Sequence, residues 1–379
     1  MGKKVIMAVT NDLLTDQRVD RSCCALSEAG YSVLLVGRWL KDSGPLPPRR
    51  YATLRMRLLF HKKVFFYAEY NLRLFLKLLF SDADLFYAND TDTLPACYLA
   101  ARLRRKALFF DAHEMFPEVP ELSARPRVKR FWEHIESHIF PRIGSKVHGS
   151  SCTVCQSIAD EYRRRYGISM AVVRNVPSAT ASPAELSMPE IRQPYILYQG
   201  AVNVGRGIEW MIDAMEFVEG FQFVVAGIGD LYDQLQGYAS SKQWHKKVLF
   251  VGRLAPGQLR SLTLSAALGV VLMEKRGLNY YYSLPNRIGD FALAHVPVVA
   301  SNFPEISRVV GRYQIGTLVD CDETPDAKSL AGIVNSTLAV WQSMPEDEKS
   351  RRFEAAATDL SWERHDKIVL QKCIDAIFL

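Results

Sequence analysis

Short apolar runs rich in β-branched residues alternate with helical patterns along almost the whole chain, and this alternation restricts the fold more than any other feature. Two sets of such runs occur, one on each side of the stretch Val176–Pro194. Strands that alternate with helices form parallel sheets covered by helices on both faces, with right-handed crossovers. The sequence therefore predicts an α/β protein with two doubly wound domains that face each other across a cleft.

The stretch between the two sets has the composition of a linker. It contains four prolines among Ser and Ala, and it shows neither helical nor strand periodicity. A length of 379 residues fits about two domains at roughly 150 residues each. We expect an N-terminal domain at 1–176, a linker at 177–194 and a C-terminal domain at 195–360. The amphipathic segment 361–379 is expected to form a helix that crosses back to the first domain.

Composition narrows the class of protein. The hydrophobic content of 48% and the charged content of 23% are those of a globular protein, and a net charge of +6 is too small to indicate a nucleic-acid partner. Seven scattered cysteines indicate a reducing compartment, and Cys152-x-x-Cys155 lacks a second pair at zinc spacing, so we interpret these thiols as core or turn residues. No apolar run reaches the 18 residues of a membrane span, and the apolar run near the first residue is too short for a signal peptide. We therefore expect a cytoplasmic protein.

Residues 49–80 are strongly basic. Eight Lys and Arg residues face a single acid, Glu69, and they are interleaved with aromatic and aliphatic side chains. Such a pattern on a helix suits peripheral binding to an anionic membrane surface. It equally suits a domain helix whose solvated face is basic, and both interpretations remain open. A nucleic-acid interface is disfavoured because no binding module frames the patch.

Polar residues follow two predicted strands of the first half. Asp111-Ala-His113-Glu114 follows one strand, with Glu118 close behind, and the carboxyl ends of parallel strands are where such sheets bind ligands. His113 and Glu114 are therefore the candidate catalytic residues. The other strand ends in Asn89-Asp90-Thr91-Asp92, which spells a D-x-D motif. We interpret this as a helix cap and loop, with Thr91 or Asp92 as the cap, rather than a site for a metal diphosphate.

Glycine-rich turns with cations follow strands of the second half. In Gln199–Gly207 the glycines let backbone N–H groups approach a ligand, and Arg206 adds a forked donor, which together predict an anion site. A second turn, Gly227–Asp230, is weaker evidence. In a third, Ser283–Asp290, Ser283 is expected to cap a helix. Arg287 and Asp290 lie one helical turn apart there. They either form a surface ion pair, or Arg287 binds a diphosphate and Asp290 a ribose diol.

Seven short motifs occur in a specific order. They are Asn11…Asp16-Gln-Arg18-Val, Ala88-Asn-Asp-Thr-Asp92, Asp111-Ala-His113-Glu114, Arg174-Asn-Val-Pro177, Tyr198-Gln-Gly-Ala…Gly205-Arg206-Gly, Ala226-Gly-Ile-Gly-Asp230 and Leu284-Pro-Asn-Arg287…Pro297-Val-Val-Ala300-Ser. With these motifs, nearly the whole chain resembles the family 4 (group 1) glycosyltransferases. The resemblance implies the GT-B fold, with two Rossmann-like domains.

The resemblance also implies roles for individual residues. A nucleotide-diphosphate sugar would bind mainly on the second domain and the acceptor mainly on the first, with retention and without metal or cofactor. His113 would contact the donor sugar, Arg206 and Arg287 the diphosphate, and Asp290 the ribose. The other donor-side candidates are Gly200, Gly227, Arg253, Ser283, Leu284 and Asn286. The acceptor-side candidates are Asn11, Asp12, Arg18, Asn89 and Asp90.

The chain also departs from the family pattern. The family often carries Glu-x7-Glu, whereas here the two positions are Tyr282 and Asp290, and its phosphate-binding cation is often Lys rather than Arg. The expected function is transfer of a sugar to a cell-envelope or lipid-linked acceptor, in polysaccharide biosynthesis at the inner face of a membrane. The alternatives are a nucleotide-sugar epimerase or hydrolase, which Glu114 and Glu118 favour, and a non-catalytic nucleotide-sugar-binding scaffold.

Overall fold

The computed structural model describes residues 2–14, 16–41, 43–119, 122, 125–143, 151–178 and 182–379, and every structural statement below concerns these residues. The chain divides into two compact units. The first comprises Met1–Asn175 together with Asp366–Leu379, and the second comprises Val176–His365. Each unit is an α/β domain built on its own parallel sheet.

The sheet of the first unit has seven parallel strands in the order β3-β2-β1-β4-β5-β6-β7. The strands are β1 (Lys4–Asp12), β2 (Ser32–Arg38), β3 (Ala52–Met56), β4 (Leu85–Asn89), β5 (Ala107–Ala112), β6 (Ser151–Thr153) and β7 (Ala171–Val172). The central strand β1 is buried from Val5 to Thr10, as expected for a strand covered by helices on both faces. A further strand expected near Lys146–Gly149 lies outside the described residues.

The described part of this unit also contains five α-helices: α1 (Gln17–Glu28), α2 (Lys63–Leu79), α3 (Leu94–Arg104), α4 (Pro126–Ile143) and α5 (Gln156–Tyr166). The Asp16 side chain caps α1 by accepting a hydrogen bond from the Val19 N–H at 3.1 Å. The expected cap of α3 at Thr91 or Asp92 is wrong. Thr93 holds the cap position without a side-chain hydrogen bond, because Thr91 and Asp92 bond to other elements.

The second unit repeats the same winding. Its six parallel strands follow the order β10-β9-β8-β11-β12-β13. They are β8 (Tyr195–Gln199), β9 (Gln222–Ala226), β10 (Val248–Gly252), β11 (Leu268–Val271), β12 (Val298–Ser301) and β13 (Gly316–Val319). The predicted fold class, two Rossmann-like parallel-sheet domains, is confirmed.

Within its described residues, the second unit has eight α-helices. They are α6 (Ile208–Ala214), α7 (Tyr232–Ser240), α8 (Pro256–Leu264), α9 (Gly277–Tyr281), α10 (Asn286–Leu293), α11 (Pro304–Tyr313), α12 (Ala327–Ser343) and α13 (Glu346–Asp359). The expected capping of α10 by Ser283 is wrong: α10 begins after Pro285 without a side-chain cap, and the Ser283 hydroxyl donates to the Tyr280 carbonyl at 2.9 Å.

The proline-rich stretch and the C-terminal helix lie on different units. Ala184 donates its N–H to the Gly257 carbonyl at 3.0 Å, so this part of the stretch packs on the second unit. After one π-helical turn at Trp362–Asp366, helix α14 (Lys367–Phe378) packs against α1 of the first unit. The Arg174 guanidinium and the Asp366 carboxylate, 2.9 Å apart, form an ion pair at its start.

Candidate active-site residues in the two units

The second unit places its ligand-binding edge between β8 and β11. These strands are neighbours, while the strands that follow each in sequence lie on opposite sides, so a crevice opens beyond their carboxyl ends. The turn after β8 runs through Gly205 to α6. The Gly205 carbonyl accepts a hydrogen bond of 3.0 Å from the Glu274 N–H, which follows β11. The two loops at the crevice are therefore tied to each other.

Two glycines bring neighbouring turns into close contact at this edge. Gly200 after β8 and Gly227 after β9 have φ angles of 129° and 148°, which disfavour any other residue. A Cβ atom on Gly227 would lie 1.8 Å from the Gly200 carbonyl oxygen. Both positions therefore require glycine, and neither residue places a side chain in the crevice.

Arg287 lies in the first turn of α10 and points to the end of β8. Its side chain is 8% exposed, and its guanidinium carbon lies 4.9 Å from the centre of the Tyr198 ring. Its Nη1 atom lies 3.4 Å from where a Cβ on Gly200 would be. The Nε and Nη2 atoms are buried and have no hydrogen-bond partner in the described part of the protein. Arg287 is thus a buried cation with unused donors.

Arg206 lies close to Arg287. Its guanidinium carbon stacks 4.7 Å from the centre of the Tyr280 ring, and its Nε atom is buried without a partner among the described residues. Burial lowers the pKa of Arg287, and the nearby charge of Arg206 lowers it further, while Tyr198 opposes the shift. Two guanidinium groups that raise each other's free energy form a site that a phosphate anion would stabilise.

The remaining donor-side candidates are distributed around these arginines. Asp290, one turn beyond Arg287, accepts a hydrogen bond of 2.9 Å from the Gln199 amide. Ser283 and Leu284 are half-buried in the segment before α10, and Asn286 is exposed. Arg253 is also exposed, after β10 and two strands away from β8.

The first unit has a separate cluster of charges around His113. The His113 backbone N–H donates to Asp90 at 2.7 Å, and its Nδ1 atom lies 3.3 Å from the other oxygen of that carboxylate. The Nε2 atom lies 3.4 Å from Asp111. Asp90 follows β4 and Asp111 is in β5, so the two adjacent strands hold the imidazole between two carboxylates.

Asp111 is held in its charged form by buried partners. The Arg18 guanidinium donates to it at 2.7 Å, and the Tyr87 hydroxyl donates to its other oxygen at 2.7 Å. Burial would raise the pKa of Asp111, but Arg18 and His113 outweigh burial and hold that pKa well below its usual range. Burial likewise would lower the pKa of His113, but Asp90 and Asp111 raise it to about 9. The two neighbouring carboxyl groups therefore favour the protonated form of His113.

Burial also changes the two carboxylates of the D-x-D motif. Asp90 has a φ angle of 60°, an unusual backbone conformation for a residue other than glycine. Burial raises its pKa, an effect that the charge of His113 opposes and that of Glu114 strengthens. Burial raises the pKa of Asp92 to about 6, while a hydrogen bond from Thr10 opposes the shift. Glu114, itself half-buried, therefore contributes its charge to the cluster.

Several predicted site residues have structural partners. Glu118, expected in the carboxylate cluster, instead accepts from Lys129 at 2.8 Å and Arg165 at 2.9 Å, which removes one of the two carboxylates behind the epimerase or hydrolase alternative. Arg18, predicted on the acceptor side, is buried and donates to Asp111. Asn89 is fully buried and donates to the Ala8 carbonyl at 2.9 Å.

The remaining acceptor-side candidates lie at the end of β1. The exposed Asn11 donates to Asp16 at 3.0 Å, and Asp12 accepts from the Leu14 N–H at 3.2 Å. Both therefore shape the turn into α1.

Across the described residues, no group of three or more His, Cys, Asp or Glu side chains is arranged to hold a metal ion. None of the described helices combines the length and the apolar character needed to span a membrane.

Comparisons with known proteins agree with this architecture. Residues 193–338 match the family described as "Glycosyl transferases group 1". The chain carries a group 1 glycosyltransferase domain. No curated protein sequence matches the chain.

Solved structures resemble the chain along its whole length. Sucrose-phosphate synthase from Thermosynechococcus elongatus is 17% identical, with a TM-score of 0.77 and 99% of both chains covered. Anabaena HepE in complex with UDP is 14% identical, with a TM-score of 0.68 and 99% of both chains covered. WaaG, a glycosyltransferase involved in lipopolysaccharide biosynthesis, is 14% identical, with a TM-score of 0.63, and 98% of this chain and 99% of that chain are covered. The chain thus has the GT-B fold of these structures.

Sequence reasoning missed three side chains of the candidate sites. Tyr87 bonds to Asp111, Tyr198 stacks on Arg287, and Gln199 bonds to Asp290. The two tyrosines look like ordinary core residues in apolar strands. Gln199 had a usable signal, because it is a buried polar residue that ends an otherwise apolar strand.

Proposed function

We propose that this glycosyltransferase transfers a sugar from a nucleotide-diphosphate donor to a cell-envelope or lipid-linked acceptor, with retention and without metal. The observation that carries the proposal is Arg287. A buried cation without a partner costs several kcal/mol, on the order of a desolvated charge. Its Nε and Nη2 atoms lack partners within the described chain, and the nearest cation, Arg206, increases that cost. A bound diphosphate would satisfy both side chains.

The two arginines also suit the reaction. As the sugar departs, negative charge grows on the leaving diphosphate, and a group that binds this charge more strongly than it binds the intact donor lowers the barrier. Guanidinium forks match phosphate oxygens in pairs, so Arg206 and Arg287 supply the positive charge for which other enzymes use a metal ion. In the first unit, His113 would orient the transferred sugar through its charged imidazole.

The similar structures support the choice of first substrates. HepE was solved with UDP and with UDP-glucose, which makes UDP-sugars the first donors to test. WaaG is involved in lipopolysaccharide biosynthesis, which supports a cell-envelope acceptor. We propose both for this chain on that likeness.

The surface of α2 supports an acceptor at a membrane. Seven apolar side chains around this helix are 45–81% exposed, and we call them the α2 surface: Leu59, Phe60, Val64, Phe65, Leu72, Leu76 and Phe80. Lys62, Lys63 and Lys77 lie among them and are exposed. The one acid, Glu69, accepts from the Phe60 N–H at 2.8 Å and pairs with Arg73 at 2.8 Å. Exposed apolar residues with cations suit an anionic leaflet, so we propose peripheral binding at the inner face of a membrane.

The test is donor binding followed by transfer. The purified chain is titrated with UDP-, GDP-, ADP- and TDP-sugars, and release of nucleotide is measured with and without membrane extracts as acceptor. Arg287→Ala and Arg206→Ala should each lower turnover roughly 10²–10³-fold, the scale of a lost charge-stabilising donor. Arg206→Lys should recover only part of this, because an ammonium group lacks the fork.

The matched control is Arg312→Ala, which removes an exposed arginine stacked on Tyr313 in the same unit. The proposal fails if none of the nucleotide sugars binds, or if Arg312→Ala lowers turnover as much as Arg287→Ala does.

A further inference from the structure

A third arginine without a hydrogen-bond acceptor lies in the first unit. Among the described residues, six arginines bury an Nε atom that has no partner: Arg18, Arg21, Arg38, Arg49, Arg206 and Arg287. Three of them still donate through their terminal nitrogens to side-chain oxygens. Arg206 and Arg287 form the proposed diphosphate site. The sixth, Arg38, has neither a hydrogen bond nor an ion pair within the described chain.

Arg38 lies at the ligand-binding edge of the first sheet, because it is the last residue of β2. Strands β1 and β4 are neighbours, and the strands that follow each in sequence, β2 and β5, flank them on opposite sides. A crevice therefore opens beyond the carboxyl ends of β1 and β4. Arg38 lies on one side of this crevice, and His113, which follows β5, lies on the other.

The register of the strands places both residues just beyond the same level of the sheet. One row of paired residues runs from Val36 of β2, across β1 and β4, to Phe110 of β5. Arg38 follows Val36 by two positions, and His113 follows Phe110 by three. Three strand spacings separate β2 from β5, which is about 14 Å. An acceptor that reaches from His113 to Arg38 therefore spans a similar length.

The neighbours of Arg38 hold its guanidinium group without neutralising it. The guanidinium carbon lies 4.7 Å from the centre of the ring of Phe66, which is 5% exposed in the first turn of α2. Asp12, the register partner of Arg38, instead accepts hydrogen bonds from the Leu14 N–H and the Ser43 hydroxyl. The ring thus supports the guanidinium plane, and its positive charge is left for a ligand.

The surroundings of Arg38 suit a phosphate group that carries an apolar chain. Residues 39–68 contain seven Lys and Arg and a single acid. A phosphate monoester carries roughly 1.5 to 2 negative charges at pH 7 and accepts paired hydrogen bonds from a guanidinium fork. In the same turn of α2 as Phe66, Val64 and Phe65 are each 63% exposed and belong to the α2 surface. An anion at Arg38 therefore lies beside exposed apolar side chains.

We propose that Arg38 binds a phosphate group of the acceptor, while the apolar chain of the same acceptor lies on the α2 surface. This inference rests on the proposed function, because it gives the lipid-linked acceptor a phosphate and assigns the residue that binds it. A bound phosphate would satisfy the donors of Arg38 in the way that the donor's diphosphate would satisfy those of Arg287.

The experiment compares farnesyl phosphate with farnesol, its uncharged counterpart, by calorimetry on the full chain. The donor site is first filled with the tightest-binding nucleoside diphosphate among UDP, GDP, ADP and TDP. Arg38→Gln should raise the Kd of farnesyl phosphate roughly 10–100-fold, the scale of lost hydrogen bonds to a charged group, and leave that of farnesol unchanged. Arg38→Lys should restore only part of the affinity, because an ammonium group lacks the fork.

The matched control is Arg102→Gln, which removes the same charge from the same unit. Arg102 is exposed near the end of α3, and this helix leads back to the amino end of β5 at the opposite edge of the sheet. Its variant should bind farnesyl phosphate like the wild type. Equal losses in Arg38→Gln and Arg102→Gln, or a wild-type chain that binds farnesyl phosphate no better than farnesol, would overturn the proposal.

A second measurement distinguishes a phosphate of the acceptor from a headgroup of the bilayer. Arg38→Gln should sediment with vesicles of phosphatidylcholine and phosphatidylglycerol as the wild type does. If it instead loses vesicle binding as strongly as it loses farnesyl phosphate, Arg38 binds lipid headgroups and the acceptor role is wrong.

The remaining outcomes separate this inference from the proposed donor site. If no nucleoside diphosphate binds, the donor proposal fails, and farnesyl phosphate is titrated into Arg287→Ala with and without Arg38→Gln. A Kd that still depends on Arg38 there would support the phosphate site by itself, and a Kd that does not would refute it. If Arg38→Gln does not fold, Arg38→Lys decides the question, because weaker binding of farnesyl phosphate with unchanged binding of farnesol is expected for it as well.

Discussion

Two buried arginines, Arg18 and Arg287, differ in how far neighbouring groups neutralise their charge. Arg18 is 3% exposed, and its guanidinium group donates to Asp111 at 2.7 Å and to the Val173 carbonyl at 2.9 Å. Arg287 is 8% exposed, but two of its nitrogens have no partner among the described residues. A buried ion that lacks a partner destabilises the fold far more than a paired one does. Arg18 is therefore neutralised within the protein, whereas Arg287 keeps donors that the proposed diphosphate would satisfy.

Replacing His113 by Ala should lower turnover about 10²-fold, because it removes a charged group held in a fixed orientation by Asp90 and Asp111. Nucleotide binding to the second unit should survive, and both quantities are measured by steady-state kinetics and calorimetry. His134→Ala is the control, since that histidine is exposed on α4 of the same unit. Near-normal turnover in His113→Ala would exclude the role.

The stability of the first unit should fall as the pH rises from about 6.5 to about 9. His113 has its pKa raised from 6.5 to about 9 by Asp90 and Asp111, despite burial. A group with a raised pKa contributes its full stability below the unfolded value and loses it as the pH passes the folded value. The full shift corresponds to about 3 kcal/mol. Thermal unfolding between pH 6 and 10 measures the slope, and His113→Gln should flatten it; an unchanged slope would contradict the assignment.

At the scale of single elements, the ends of helices and strands carry the chemistry. The two glycine turns after β8 and β9 are in contact, and a Cβ on Gly227 would overlap the Gly200 carbonyl at 1.8 Å. Helix α10 begins at this point and brings in Arg287. Helix α2 instead exposes its outer face, with Phe65 63% and Phe80 81% exposed. The first arrangement suits a small anion and the second an extended surface.

Removing three cations of α2 should weaken binding to anionic vesicles. The triple variant Lys62→Gln, Lys63→Gln and Lys77→Gln loses about 1 kcal/mol per cation, or about 10²-fold in affinity, most clearly at low salt. Arg55 is a poorer target, because it bonds to the Gly44 carbonyl at 2.8 Å and stacks on Trp39. Vesicle sedimentation measures the change.

The control for the lipid experiment removes the same charge elsewhere. Lys246, Lys328 and Lys372 are exposed and lie outside α2, so their triple Gln variant should bind vesicles like the wild type. Equal losses in both triple variants would show that net charge rather than the α2 surface is responsible, and no sedimentation of the wild type would refute lipid binding.

At the scale of the whole molecule, the first unit is formed by two separate segments of the chain, whereas the second unit is one continuous segment. The first unit is completed by the last residues, because Asp366 pairs with Arg174, and α14 buries Leu370 and Ile374 completely against it. The Gln371 amide also donates to the Ala25 carbonyl of α1 at 2.8 Å. The stability of the first unit therefore depends on a segment that follows the second unit in sequence.

Deleting residues 367–379 should destabilise the first unit by about 3–6 kcal/mol, the value of burying two aliphatic side chains. The second unit should keep its stability, because α14 belongs to the other unit. Hydrogen exchange of peptides from each unit measures the two effects separately. Equal deprotection of both units would show that α14 does not act on the first unit alone.

Patterns that are local in sequence determined the fold class and the position of most elements. Strands Gln222–Ala226 and Gly316–Val319 coincide with short apolar β-branched runs, because such runs form buried strands in a doubly wound sheet. The role of Gly200 and Gly227 was also predictable from sequence. A turn in which backbone groups approach closely after a strand is a position that favours glycine over other residues. Helix caps were less predictable, because Thr91 and Asp92 found partners outside their helix.

Only the tertiary structure decided which charges meet. The sequence predicted one cluster of His113, Asp111 and Glu118. In the structure, the order of the strands places Asp90 beside His113, 23 positions away in sequence. Glu118 instead pairs with Arg165 of α5, 47 positions away. Gln199 reached Thr263 across 64 positions in the same way. Such contacts depend on the register of strands and the packing of helices, which follow from the burial of the whole core rather than from any local pattern.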